Sequence, residues 1–136
     1  MDNLAVAKHY QEVDKVYGNS VPKEVKNYIA AQMEVDLFVG ELFNALERKG
    51  IIDDTVIVFV GDHYPYTMES STYEEYKNVN AEYLKNQTPL FIWSKDIEPK
   101  SIDKLSSSFD ILPTIANMFN LEINYTHYFG NDIFSS

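Results

Sequence analysis

Three consecutive residues, Gly61-Asp62-His63, have the types and spacing best suited to chemistry. Glycine lets the backbone depart sharply, and the next two residues offer a carboxylate oxygen and an imidazole nitrogen side by side. That donor pair suits Mn²⁺, Zn²⁺ or iron better than Ca²⁺ or Mg²⁺, which favour all-oxygen shells. Asp62 and His63 are therefore the candidate metal ligands. They are only two, and a divalent site takes about four. Tyr64 and Tyr66 follow directly and are candidates for substrate contact. Two other histidines exist. His9 lies in a polar N-terminal stretch and reads as a solvated side chain, and His127 in Tyr125-Thr126-His127-Tyr128 is a candidate to line a cleft. An Asp-His dipeptide on its own is as compatible with a plain surface turn.

What argues against the plain turn is the segment before it. Val56-Ile57-Val58-Phe59-Val60 is wholly apolar and mostly β-branched, with no in/out alternation. Such a run predicts a strand buried on both faces, hence a parallel strand of an α/β sheet, with ligands expected at its carboxyl end. A long helix is predicted over 21–49. Ser20 stands as its cap, Pro22 is in the first turn, apolar residues recur every three to four positions, and Gly50 stops it. A second strand is predicted over 89–93, and a helix from about 108 to 119 with Ser106 to Ser108 as caps. Residues 64–87 read as irregular to helical, acidic and rich in tyrosine, and Gly130-Asn131-Asp132 reads as a turn. Helices alternating with buried strands make the class α/β, with buried, mostly parallel strands flanked by helices. Two strands are few for such a sheet, so part of it is expected to come from elsewhere.

Composition narrows the functions. The chain has 136 residues, enough for one domain and too few for two. Eleven Lys+Arg against 21 Asp+Glu give a net charge of −10, which repels a phosphate backbone and excludes nucleic acid as a partner of this surface. There is no cysteine, so disulfides, zinc-thiolate sites and a cysteine nucleophile are excluded. No apolar run approaches the roughly 20 residues of a spanning helix, and Met1-Asp2-Asn3-Leu4 lacks the charged and apolar regions of a signal peptide. By itself the chain reads as soluble.

Several segments in fixed order are similar to one family. They are Ala30-Ala31-Gln32-Met33-Glu34-Val35-Asp36, Leu46-Glu47-Arg48-Lys49-Gly50, Asp54-Thr55-Val56-Ile57-Val58-Phe59-Val60-Gly61-Asp62-His63-Tyr64-Pro65-Tyr66, Thr88-Pro89-Leu90-Phe91-Ile92-Trp93, Ser108-Phe109-Asp110-Ile111-Leu112-Pro113-Thr114-Ile115 and Phe129-Gly130-Asn131-Asp132-Ile133-Phe134. Together they resemble the sulfatase-like catalytic domain of the lipoteichoic acid synthase family, phosphoglycerol transferases of the alkaline phosphatase superfamily. The resemblance implies a divalent cation, Mn²⁺ in the first instance with Zn²⁺ and Mg²⁺ as alternatives, held by four ligands of which Asp62 and His63 are two. It also implies a threonine nucleophile activated by that cation, a phospho-threonine intermediate, and a glycerophospholipid or glycerophosphate-type substrate. A parent enzyme of this kind acts at the extracellular face of the bacterial membrane, in cell-wall synthesis.

The nucleophile and the first ligand of that family belong well upstream of the long helix, and no position in this chain matches them. His9 is followed by Tyr10-Gln11 rather than the proline and aromatic of the family's substrate histidine. Residues 1–136 are thus expected to form a single domain that is the C-terminal portion of such a catalytic domain, inactive alone, with no catalytic nucleophile of its own. Its truncated face is expected to self-associate. Two alternatives stay open: a non-catalytic acidic α/β interaction module, and part of a true sulfatase.

Overall fold

The computed structural model describes residues 4–78 and 82–135. Two units form, one ending at Ile97 and the other starting at Glu98.

In the first unit, helix α1 (Leu4–Tyr17) and helix α2 (Lys23–Arg48) are joined by a 3₁₀ turn, Gly18–Ser20. His9 and Val13, one helical turn apart on α1, are both buried. The expectation of a solvated His9 is overturned: it is 9% exposed, its Nε2 is 2.9 Å from Glu34 Oε1 on α2, and its Nδ1 is 3.4 Å from Glu12 Oε2. A polar N-terminal segment hid an amphipathic helix whose inner face needed a partner for its imidazole. Lys26 of α2 is buried too, and its ammonium donates to Asp14 Oδ1 at 2.5 Å and to the Gly18 carbonyl at 2.8 Å, so the charge is paired as burial requires.

Helix α2 spans the predicted range with different punctuation at its start. Ser20 does not cap it; its hydroxyl donates to the Tyr17 carbonyl at 2.5 Å, and the Pro22 carbonyl accepts the first helical bond from Lys26 N–H. Its end follows the prediction. Gly50 sits at φ 66°, Gly50 N–H reaches Glu47 O at 2.9 Å and Ile51 N–H reaches Leu46 O at 3.1 Å, the paired bonds of a Schellman stop.

The chain then enters strand β1 (Ile57–Val60) and, after helix α3 (Ser70–Lys77) and a 3₁₀ turn (Glu82–Asn86), strand β2 (Leu90–Trp93). Helices and strands alternate as the α/β class requires, and among the described residues the sheet has only these two strands. Their direction corrects the expectation of parallel, doubly buried strands. β1 and β2 run antiparallel, with Ile57 opposite Trp93 and Val60 opposite Leu90. Ile57 is buried, yet Val60 is 50% and Phe91 62% exposed. An apolar run states that a strand's faces favour cover; it does not state which way the neighbouring strand runs. α2 reaches the strand pair through Phe43, whose ring meets Trp93 edge-on at 4.7 Å. No described helix is long and apolar enough to cross a membrane.

The second unit is a short 3₁₀ turn (Ser108–Asp110) running into helix α4 (Ile111–Met118), followed by an irregular tail. Ser107 and Asp110 form a reciprocal capping box: Asp110 Oδ2 accepts from Ser107 N–H at 2.6 Å and from its hydroxyl at 3.1 Å. The tail is stitched onto the helix start. Asn131 N–H donates to Asp110 Oδ1 at 2.7 Å, Ile133 N–H to the buried Thr114 hydroxyl at 2.9 Å, and Asn117 Nδ2 to Asp132 Oδ2 at 2.8 Å. The two family-like segments around Asp110 and Gly130 thus hold one another.

Candidate metal and substrate site

The site begins where the strand pair ends. Gly61 N–H bonds to the Pro89 carbonyl at 3.3 Å, extending the β1–β2 ladder by one step, and the Thr88 hydroxyl donates to the Gly61 carbonyl at 3.1 Å. A side chain at position 61 has no room: a Cβ there would lie 2.7 Å from Thr88 Cβ. Thr88 therefore fixes the point at which Asp62 and His63 leave the sheet, a role that no pattern in the sequence announces.

Asp62 and His63 follow at the carboxyl end of β1, with side chains 84% and 44% exposed. Asp62 Oδ1 accepts from His63 N–H at 2.9 Å, which turns the carboxylate towards the imidazole. His63 Nδ1 lies 2.8 Å from the Tyr64 carbonyl. A carbonyl only accepts, so Nδ1 carries the proton, and Nε2 is left facing Asp62 Oδ2 at 3.3 Å. Two lone-pair atoms at that separation repel unless a proton or a cation lies between them. An imidazole whose far nitrogen is tied to a backbone carbonyl is also the arrangement found around metal-bound histidines. The donor chemistry thus fits a divalent cation. Among the described residues no third His, Asp or Glu joins the pair.

The following segment folds back on the pair. The Tyr66 ring stacks on His63 with centroids 4.1 Å apart, Tyr64 meets Tyr66 edge-on at 5.5 Å, and Tyr64 lies 5.6 Å from Tyr73 of α3. Tyr64, Tyr66, Tyr73 and Met68 wall a cavity of about 220 Å³, whose polar lining is Ser70, Glu74, Lys85 and Asn86. Its walls are tied down. Tyr73 donates to the Lys85 carbonyl at 2.5 Å, and the Lys77 ammonium donates to Tyr73 Oη and to the carbonyls of Lys85 and Gln87. Lys85 Nζ pairs with Glu74 Oε1 at 2.7 Å. On the other side, Glu24 of α2 accepts from Glu69 N–H at 3.0 Å. The Thr72 side chain and that N–H hold the Glu24 carboxyl below the ordinary glutamate range. The acidic, tyrosine-rich excursion, which shows no clean period, is thus a built wall.

Of the candidates read from the sequence, Tyr64 and Tyr66 stand beside Asp62 and His63. His127 belongs to the second unit, where it is exposed in the turn Tyr125–His127 and its Nε2 accepts from Asn124 Nδ2 at 3.4 Å.

The Sulfatase family profile matches residues 4–121. Lipoteichoic acid synthase 2 of Bacillus subtilis is 26% identical over 129 residues, 88% of this chain and 19% of that protein. Lipoteichoic acid synthase of Staphylococcus aureus is 26% identical over 122 residues, 86% of this chain and 19% of its own length. Human arylsulfatase A is 32% identical over 90 residues, 62% of this chain and 18% of its own length. The chain spans about a fifth of the length of these relatives. No solved structure matches it. A glycine-hinged Asp-His pair at a strand's end, within a match that runs from α1 through α4, leads to one conclusion: the chain belongs to the sulfatase family, with lipoteichoic acid synthases and arylsulfatases among its relatives.

Proposed function

We propose that Asp62 and His63 are two ligands of a divalent cation, Mn²⁺ in the first instance, in an ester-cleaving site completed by residues outside these 136. The ester we infer is a phosphodiester of the glycerophosphate type, transferred at the extracellular face of the membrane. The observation that carries the reading is the 3.3 Å approach of His63 Nε2 to Asp62 Oδ2 with Nδ1 committed to a backbone carbonyl. A bound cation supplies Lewis acidity to a nucleophile and to the charged ester oxygens. The chain's own residues do the positioning. The Tyr64 carbonyl selects the tautomer, the His63 N–H aims the carboxylate, and Tyr66 holds the imidazole plane. A covalent step needs a hydroxyl nucleophile, and the coverage of about a fifth of each relative is consistent with its lying elsewhere in a longer protein. The arylsulfatase relatives support a second reading, a sulfate ester at the same site.

Paramagnetic broadening by Mn²⁺ tests the ligand assignment in the chain as it stands. Added Mn²⁺ should broaden His63 and Asp62 signals before those of His9 and His127, with Kd near or above about 1 mM because two donors gain little over water. Uniform broadening over the acidic surface, or broadening unchanged in Asp62→Asn, rejects it. In a longer protein carrying the upstream segment, Asp62→Asn should cut turnover at least about a hundredfold. Comparing glycerophosphate diesters with aryl sulfates there decides the ester.

A further inference from the structure

We propose that Glu24 of α2 is a positioning residue for His63: its carboxylate latches the segment 64–69 where Tyr66 can stack on the imidazole. Among the described residues, the other hydrogen bonds of 62–68 stay within that stretch. His63 N–H bonds to Asp62, Tyr66 N–H to the Tyr64 carbonyl and Met68 N–H to the Pro65 carbonyl, which shapes the segment without attaching it to another element. Attachment comes at Glu69. Its N–H donates to Glu24 Oε2 at 3.0 Å across 45 positions of sequence, and the Thr72 side chain bonds to the same carboxylate. Both donors stand at the start of α3, where backbone N–H groups lack helical partners and a negative charge is favoured.

The latch matters because the space around it is not filled. A cavity of about 270 Å³ is walled by Asn27, Tyr28 and Ala31 of the helix and by Pro65, Thr67 and Met68 of the segment, which leaves room for the segment to shift. Tyr73 and Lys77 tie the body of α3 to the 85–87 segment, and its start is left to Glu24. From Glu69 a relay of contacts runs to the site. The Glu69 carbonyl accepts from Tyr73 N–H at 2.9 Å, the Tyr73 ring lies 5.6 Å from Tyr64, Tyr64 meets Tyr66 edge-on at 5.5 Å, and Tyr66 stacks on His63 at 4.1 Å. The place of residue 69 thus sets the place of Tyr66, and the stacked ring sets the imidazole plane and the direction of Nε2. The last step, from imidazole plane to cation, rests on the proposed cation reading; the latch itself does not.

The test is NMR of the full 136-residue chain at one fixed pH, with chelator present. The Tyr66 ring shields the His63 ring protons it covers, so those signals lie upfield, and the two rings show a cross-relaxation contact. Glu24→Ala removes a charged acceptor and should shift the latched-to-released ratio about tenfold towards release. The His63 ring signals should then move downfield and their contact with Tyr66 should weaken. Thr72→Val, on the other partner, should act in the same direction by less, and the double variant should add nothing to Glu24→Ala. Glu24→Gln, which keeps an oxygen acceptor, should fall between Glu24→Ala and the unaltered chain. The Trp93 indole signal, set by its contact with Phe43, should stay in place in every variant. Unmoved His63 signals in both Glu24→Ala and Thr72→Val overturn the proposal. So does a Trp93 signal displaced together with His63, the mark of a general loosening. Because the chelator removes any cation, this outcome and the localisation of Mn²⁺ stand or fall separately.

Discussion

At residue scale, the site depends on one absent side chain. Gly61 lies against Thr88, whose hydroxyl bonds to the Gly61 carbonyl and so cannot swing away freely. Alanine at position 61 would put its Cβ 2.7 Å from Thr88 Cβ and 3.0 Å from Cγ2, closer than carbon atoms pack. Gly61→Ala should therefore destabilise the first unit by about 1–3 kcal/mol, the usual cost of overpacking. It should also displace Asp62 and His63. Adding Thr88→Gly removes the opposing carbons and should restore the native His63 and Tyr66 ring shifts, though not all of the stability. Equal melting temperatures for Gly61→Ala and the unaltered chain would show that the strand ends yield without strain. The same residue illustrates a limit of sequence reading. A glycine before Asp-His signals a turn; that threonine 27 positions later is what forbids a side chain is a tertiary fact.

At element scale, the second unit depends on Asp110. Its carboxylate accepts from Asn131 N–H and from Ser107 N–H and hydroxyl, and these bonds hold its pKa below the ordinary aspartate value. A depressed folded-state pKa contributes stability that is complete above the unfolded value, near pH 3.9, and is lost as pH falls through the lower folded value. Acid titration followed by amide shifts of α4 should show the tail at 130–133 releasing from the helix below about pH 4. In Asp110→Asn that acid step should vanish. The unit should already be weaker at neutral pH by about 1 kcal/mol, the typical cost of losing a helix cap. An acid step of unchanged size in the variant would assign it to another carboxylate. The capping potential of Ser107 was readable from the serine run before an apolar helix; the answering carboxylate of Asp110 came from the structure. That Asp110 also holds Asn131 was not readable, because nothing local links positions 21 apart.

At the scale of the whole molecule, the two-stranded sheet leaves one edge of each strand unpaired among the described residues, with Phe91 and Val60 exposed beside those edges. Open edges with apolar side chains pair with further strands. We expect the 136-residue chain to self-associate through β1 and β2 in sedimentation velocity. Phe91→Lys should return it to monomer by placing a charge at the edge. Raising salt should strengthen association, because screening relieves repulsion between copies that each carry a net charge of −10. A monodisperse monomer at all salt concentrations would mean that these edges are protected. What the sequence determined by itself is the local and the additive. The Gly50 stop of α2, the extents of α2, β1 and β2 and the Asp-His pair after the first strand all follow from propensity and pattern within a few residues. The tertiary structure alone decided the antiparallel direction of the strands, the burial of His9 against Glu34, the Thr88 clamp and the tyrosine cavity. Each of these joins residues about 25 or more apart, or closes a wall around an irregular segment. Which distant partners meet is set by how whole faces pack, and that information is not local to any stretch of the chain.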